Sequence, residues 1–221
     1  MTGTPPADYI DGYCERLAPG LLGEPLNAVT NFAFILMALW LWRQAVRNGR
    51  GADPLLRILV LLLVATGVGS LIFHTWANRL GAVLDTVALT ACLLAAFLFS
   101  ARRWLGWPWW KAMLWPLGMI GAALVLGAVI PVGGAPYLGP FVTGLAMAAV
   151  LNHRGHWAAR HILAATVVFV PSFTFRTLDP LLCDVWPYGT HFLWHICNAF
   201  VLGFAIMPFT RREATEWHGP A

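Results

Sequence analysis

Five side chains in this sequence are of types that do chemistry and stand in stretches otherwise almost wholly apolar. Ser70 and His74 lie four residues apart in Gly67-Val-Gly-Ser70-Leu-Ile-Phe-His74, a spacing that puts both on one face of a helix. Asp85 follows eleven residues later, and His191-Phe-Leu-Trp-His195 supplies a second pair at the same helical spacing. Three neutral imidazoles are the donor set of a catalytic rather than a structural zinc site, because the fourth tetrahedral position is left to water. Zinc there would lower the pKa of that water from 15.7 towards about 7 and furnish a nucleophile at neutral pH. Asp85 is then the candidate to take up a proton and deliver it to a leaving amine. Ser70 is the candidate to hydrogen-bond the water or a developing oxyanion.

Each piece has a plainer reading. A His-x-x-x-His pair on an apolar helix can be an interhelical hydrogen-bonding pair, and a serine among glycines can serve close helix packing. Asp85 can pair with Arg79, or accept a hydrogen bond from a metal-binding histidine. What separates these readings is where the chain places the five residues.

Of the 221 residues, 59% are hydrophobic and 11% charged, with a mean hydropathy of +0.68; a soluble domain carries about 25% charged residues. Seven apolar runs follow one another at residues 27–42, 55–74, 80–99, 109–130, 137–151, 162–175 and 191–209. With the Trp, Arg and Pro residues at their ends, each approaches the ~17–20 residues that a bilayer requires of a helix. They lack the polar/apolar alternation of a barrel strand and exceed its length of about 10 residues. The predicted fold is all-α, a seven-transmembrane-helix bundle forming one membrane domain over residues 1–221. Residues 1–23 form its short outer N-terminal segment, polar and without the basic and apolar pattern of a signal peptide.

The 14 Lys and Arg residues sort unevenly between the two ends of such a bundle. Arg43, Arg47, Arg50, Arg57, Arg102, Arg103, Lys111, Arg154, Arg160, Arg211 and Arg212 share the side of the C-terminus, leaving Arg16, Arg79 and Arg176 on the other. By the positive-inside rule the C-terminus is cytoplasmic and the N-terminus outside, in a periplasm or its equivalent. Loop anchoring accounts for the net charge of +4 without a nucleic-acid partner. In this topology the second helix runs outward and the third and seventh run inward, so His74, Asp85, His191 and His195 all fall near the outer leaflet. Ionisable groups inside a membrane are functional candidates by default.

Other polar residues are discounted. His153, His156 and His161 sit in or beside a cytoplasmic loop among arginines, and the 12 tryptophans fall mostly at helix ends, as an aromatic belt predicts. Cys92 and Cys197 read as small apolar residues within helices. Cys14 and Cys183 both fall on the outer, oxidising side, where they form a disulfide or remain two thiols.

Taken together, Tyr13-Cys14-Glu15, Glu24-Pro-Leu-Asn27 with Asn31, Gly67-x-Gly-Ser70-x-x-Phe-His74, Asp85 and His191-x-x-Trp194-His195 resemble the alkaline ceramidase family. That family belongs to a wider group of seven-helix membrane hydrolases that also includes the adiponectin and progestin receptors. The resemblance implies zinc on His74, His191 and His195, with Ser70 and Asp85 assisting. It implies hydrolysis of the N-acyl amide of ceramide or a related lipid, drawn from the bilayer, to a free amine base and a fatty acid. It further implies a calcium site before the first helix, of which Asp11, Glu15 and Glu24 look like the remnants. Capping of the first helix is the alternative role for these acids. There are departures from the family pattern: its Asp-Trp-Cys-Glu run reads Asp11-Gly12-Tyr13-Cys14-Glu15, Leu17 stands where Asn is expected, and Asp85-Thr86 replaces Asp-Glu.

The competing reading is a receptor or sensor of the adiponectin/progestin-receptor type with a zinc site, against which the short N-terminal segment argues. A retinal-type photoreceptor would need a lysine within a helix, and the sole lysine, Lys111, sits at a helix entrance. A transporter would need polar steps through the cytoplasmic half, where the second, third and seventh helices offer little besides Asn198.

Overall fold

The computed structural model describes residues 8–212; the start of the N-terminal segment and residues 213–221 lie outside that range. Among the described residues, seven helices are long and apolar enough to cross a membrane: α1 (Pro25–Arg47), α2 (Pro54–Trp76), α3 (Arg79–Trp104), α4 (Trp109–Val129), α5 (Ala135–His153), α6 (Ala159–Leu182) and α7 (His191–Thr210). Each expected apolar run is one of them. The isolated bridge between Tyr9 and Asn78 is the β-type pairing seen among the described residues.

Helix ends follow local chemistry. The Asp53 side chain caps α2 by accepting from the backbone N–H groups of Leu55 (3.0 Å) and Leu56 (3.3 Å), with Pro54 at the first helical position, where its missing N–H costs nothing. Asp53 also pairs with Arg50 and with Arg103 of α3; burial pushes its carboxyl up, but Arg103, the Leu56 N–H and Arg50 together hold it below the usual range. At the other end α2 stops at Ala77, whose φ of 54° is left-handed, and Asn78 caps α3 through its side chain to Gly81 N–H (2.8 Å). With so short a turn, α2 and α3 must pack as an antiparallel pair.

The main departure from expectation is α6, whose apolar run ends at Phe175 while the helix continues through Arg176, Asp179 and Pro180 to Leu182. The polar groups of that last stretch have partners inside the protein. The Arg176 guanidinium lies over the rings of Tyr137 (4.9 Å) and Trp194 (5.7 Å), and Asp179 is wholly buried.

The helices form a closed ring in chain order, α7 returning to α1, with the α2–α3 and α6–α7 interfaces the most extensive. Small residues such as Ala38, Ala45, Ala96, Ala148, Ala165 and Ala199 are buried at the contacts, as expected where close backbone approach rather than hydrophobic burial drives association. Leu61, Val87, Leu124 and Val167 point outward, an apolar exterior suited to lipid. Two glycines on opposite faces let α2 sit between its neighbours. A Cβ on Gly67 would stand 3.0 Å from Phe34 Cβ of α1, and one on Gly69 would stand 2.7 Å from the Leu84 carbonyl oxygen of α3. Gly69 is the residue before Ser70, and Leu84 the residue before Asp85.

Gly69→Val should therefore force α2 from α3 and lower stability by about 1–3 kcal/mol, the usual cost of overpacking, measured by thermal unfolding in detergent. Gly118→Ala, whose Cβ would meet nothing within 4 Å, should leave the midpoint unchanged.

Candidate metal centre

His74 comes from the last turn of α2, and His191 and His195 from the first two turns of α7. The three imidazoles converge: ring centroids lie 4.6 Å apart for His74 and His195, 4.7 Å for His191 and His195, and 5.2 Å for His74 and His191. One ring nitrogen from each falls within 4.8 Å of the others, and all three residues are buried. Such a group could hold a metal ion. Among the described residues it is the group of histidine, cysteine or acidic side chains with this property.

Hydrogen bonds on the far sides of the rings prepare two of them for a metal. His74 Nδ1 lies 2.6 Å from Glu24 Oε2 and donates to that carboxylate, leaving Nε2 as the lone-pair nitrogen; Nε2 is buried and has no protein partner. His195 Nδ1 lies 3.0 Å from Thr30 Oγ1. That hydroxyl also lies within hydrogen-bond reach of the Leu26 (2.7 Å) and Asn27 (3.2 Å) carbonyls, and the contact orients the His195 ring. His191 Nδ1 also lacks a protein partner. Buried, unpartnered imidazole nitrogens on His74 and His191 are costly in a dry protein, and a cation bonded to them removes that cost. The donor set thus fits a metal, and the carboxylate–imidazole pairing is the arrangement that orients metal-bound histidines.

The N-terminal segment lies over this cluster. Ile10 N–H bonds the Ala77 carbonyl (2.7 Å) and Gly20 N–H the Thr75 carbonyl (2.7 Å), fastening the segment to the end of α2. Tyr13 stacks on His191, with centroids 3.7 Å apart and planes inclined by 24°; burial raises the pKa of its hydroxyl. Cys14 and Cys183 form a disulfide, the first of the two alternatives open from sequence. Asp179 gathers the same region around one carboxylate: Oδ1 accepts from the N–H groups of Thr190 (2.6 Å) and His191 (2.8 Å), and Oδ2 from Cys14 N–H (3.1 Å). The first two contacts cap α7, where negative charge also complements the helix dipole.

Ser70 is buried on α2 one turn before His74, beside Gly69, where α2 abuts the Leu84–Asp85 backbone of α3. Asp85 is thus placed next to Ser70 by the α2–α3 contact. The carboxylate that receives a hydrogen bond from a histidine of the cluster is Glu24 rather than Asp85.

Asp11, Glu15 and Glu24 are not brought together as a ligand set. Asp11 is exposed. Glu15 caps α1, Oε1 accepting from Leu26 N–H (2.7 Å) and Oε2 from Asn27 N–H (2.8 Å). Burial raises its carboxyl above the usual range against the pull of those two donors. Glu24 pairs with the Arg16 guanidinium and accepts from Asn27 Nδ2 (2.8 Å) as well as from His74; burial pushes its carboxyl up while Arg16 pulls it down.

Beside the cluster, α3, α5, α6 and α7 enclose an almost wholly apolar cavity, lined by residues that include Leu89, Leu93, Phe97, Phe141 and Phe169. Tyr137 and Trp194 stand at its near end, the Trp194 ring 6.5 Å from that of His191.

Residue types and spacing do not single out Thr30, Arg176, Asp179 or the pairing role of Arg16. Asp179 carries a usable signal, as an acid placed between an apolar run and His191. Thr30 carries none, because a threonine on an apolar helix usually bonds its own backbone.

A seven-helix bundle of apolar surface with three imidazoles gathered at one end is the class of protein that these observations define. No protein-family model matches the chain. Over 103 residues it is 31% identical to the alkaline ceramidase of Drosophila melanogaster, a stretch amounting to 46% of this chain and 36% of that protein. The matched stretch spans about a third of the relative's length. The similarity supports a relationship to the ceramidase family.

Two measurements check this site. Non-reducing digestion should recover Cys14 and Cys183 in one cross-linked peptide, and finding both as free thiols would remove the disulfide. Asp179→Ala should destabilise the protein by at least ~2 kcal/mol, since three backbone N–H groups lose their acceptor at about 1–3 kcal/mol for each buried group; unchanged thermal unfolding would contradict the capping role.

Proposed function

We propose that this chain is a zinc-dependent membrane amidohydrolase that cleaves the N-acyl amide of ceramide or a related lipid to a free amine base and a fatty acid. The observation that carries the reading is the meeting of three buried imidazoles, two of them with a nitrogen free of protein partners, near an apolar cavity that Trp194 lines beside His191. His74, His191 and His195 would hold the zinc, and Glu24 and Thr30 would orient two of them through Nδ1. Zinc at such a site supplies a Lewis acid and lowers the pKa of water towards ~7.

The remaining work falls to the chain's own residues. Asp85 is the proton carrier, taking a proton on its carboxylate and returning it to the departing amine nitrogen. Ser70, buried one turn before His74, offers its hydroxyl proton to the developing oxyanion. The apolar walls of the cavity suit an acyl or sphingoid chain, and Tyr137 and Trp194 flank the place where a polar headgroup would meet the imidazoles. The similarity to a protein named alkaline ceramidase supports the amide bond as the one cut. The uneven distribution of arginines supports a site facing the non-cytoplasmic side.

Alanine at His74, His191 or His195 should abolish zinc content and turnover of a fluorescent ceramide together. Asp85→Asn should retain zinc while lowering turnover at least ~100-fold, the lower range for a general acid–base. Metal analysis of the purified protein, combined with hydrolysis assays before and after chelation, tests the reading. Zinc and activity that survive all three histidine changes would end it.

A further inference from the structure

The resemblance that implies zinc also implies calcium beside Glu15 and Glu24, and the residues present do not fit that ion. Calcium takes six to eight oxygen ligands at about 2.3–2.6 Å. Both oxygens of Glu15 accept backbone N–H groups at the start of α1. Glu24 gives Oε2 to His74 and Asn27, and gives Oε1 to Arg16. Asp11 is exposed and Leu17 is 85% exposed with no oxygen in its side chain.

A cation is nevertheless present. The Arg16 and Glu24 side chains are both 0% exposed, and the guanidinium lies over the rings of Phe73 (5.5 Å) and Tyr9 (5.9 Å), a cation–π setting that favours it over bare burial. Arg16 is always charged, and its backbone N–H bonds the Tyr13 carbonyl (3.0 Å), so a short turn carries it to this place. A divalent ion beside Glu24 would have to stand against this fixed positive charge with few free oxygens to receive it.

We infer that the Arg16 guanidinium takes the place of calcium in this protein, a built-in cation that fixes Glu24 and through it aims His74 at the metal centre. The geometry at His74 then depends on the folded N-terminal segment alone, whatever the calcium concentration. Arg16 acts through Glu24 and is a positioning residue. The inference rests on His74 binding a metal, but not on the reaction that follows.

The test uses the full-length protein in detergent. After treatment with EGTA, adding calcium to millimolar concentration should leave the thermal midpoint unchanged, and terbium should give no saturable luminescence sensitised by Tyr9, Tyr13 or nearby tryptophans. A saturable rise in midpoint, or terbium luminescence that calcium competes away, overturns the inference. Arg16→Met, close in length but uncharged, should lose zinc to a competing chelator at least about tenfold more readily, the lower range for loss of an outer-shell partner. Arg16→Lys should stay within a few-fold of the unaltered protein. Retention of zinc by Arg16→Met equal to that of the unaltered protein overturns the role assigned to Arg16. Should that variant fail to fold, the calcium and terbium titrations and Arg16→Lys decide the question. Zinc retention and midpoints are read without substrate, so a failed ceramide assay would count against the proposed reaction only.

Discussion

The hydrogen bond from His74 Nδ1 to Glu24 ties together nearly everything else at this end of the bundle. An imidazole buried at the end of an apolar helix needs a partner on each nitrogen, since an unsatisfied polar atom there costs as much as several good packing contacts return. Glu24 satisfies one nitrogen and leaves the other facing His191 and His195. The carboxylate is itself too costly to bury alone, and Arg16 answers that requirement. Bringing Arg16 inward folds the N-terminal segment over the cluster. From there follow the stacking of Tyr13 on His191, the approach of Cys14 to Cys183 and the contact of Cys14 with Asp179. Each buried polar group thus requires the next, in a chain that ends at the capped start of α7.

Helix packing serves the same end by different means. Apolar side chains gain little by leaving lipid for a neighbouring helix, so close approach depends on small residues. Gly67 and Gly69 give α2 a flat face on each side, which brings it against Asn31 and Phe34 of α1 and against the Leu84–Asp85 backbone of α3. At the opposite end Asp53 performs the corresponding task, capping α2 and pairing with Arg50 and Arg103. The hairpin of α2 and α3 is thereby held at both ends by carboxylates whose charge is compensated.

Part of the site is legible in the order of residues alone. Ser70, His74, Asp85, His191 and His195 attract attention because polar groups are rare in runs so apolar, and helical spacing pairs Ser70 with His74 and His191 with His195. The alternation of seven crossings also sets their ends together. Other parts are hidden by ordinary appearance: Arg16, Arg176 and Asp179 lie where chain meets interface, and charge there seldom means anything. The family resemblance assigns Glu24 to a calcium site, whereas its observed partners are a guanidinium, an amide and an imidazole. The end of α6 misleads for a related reason. A proline and two charges read as a helix stop unless one knows that Asp179 and Arg176 are met by α7, Tyr137 and the N-terminal segment.

What the sequence by itself determined is the all-helical architecture, because hydropathy and run length are local quantities and a backbone in lipid must satisfy its own hydrogen bonds. It also determined which residue types were available for chemistry. The tertiary structure decided their pairing: His74 with Glu24 at a separation of 50 residues, His195 with Thr30 at 165, and Cys14 with Cys183 at 169. Those partnerships depend on which side chains are mutually buried once the ring of helices closes, and no local pattern of residues encodes burial shared across so long a stretch of chain.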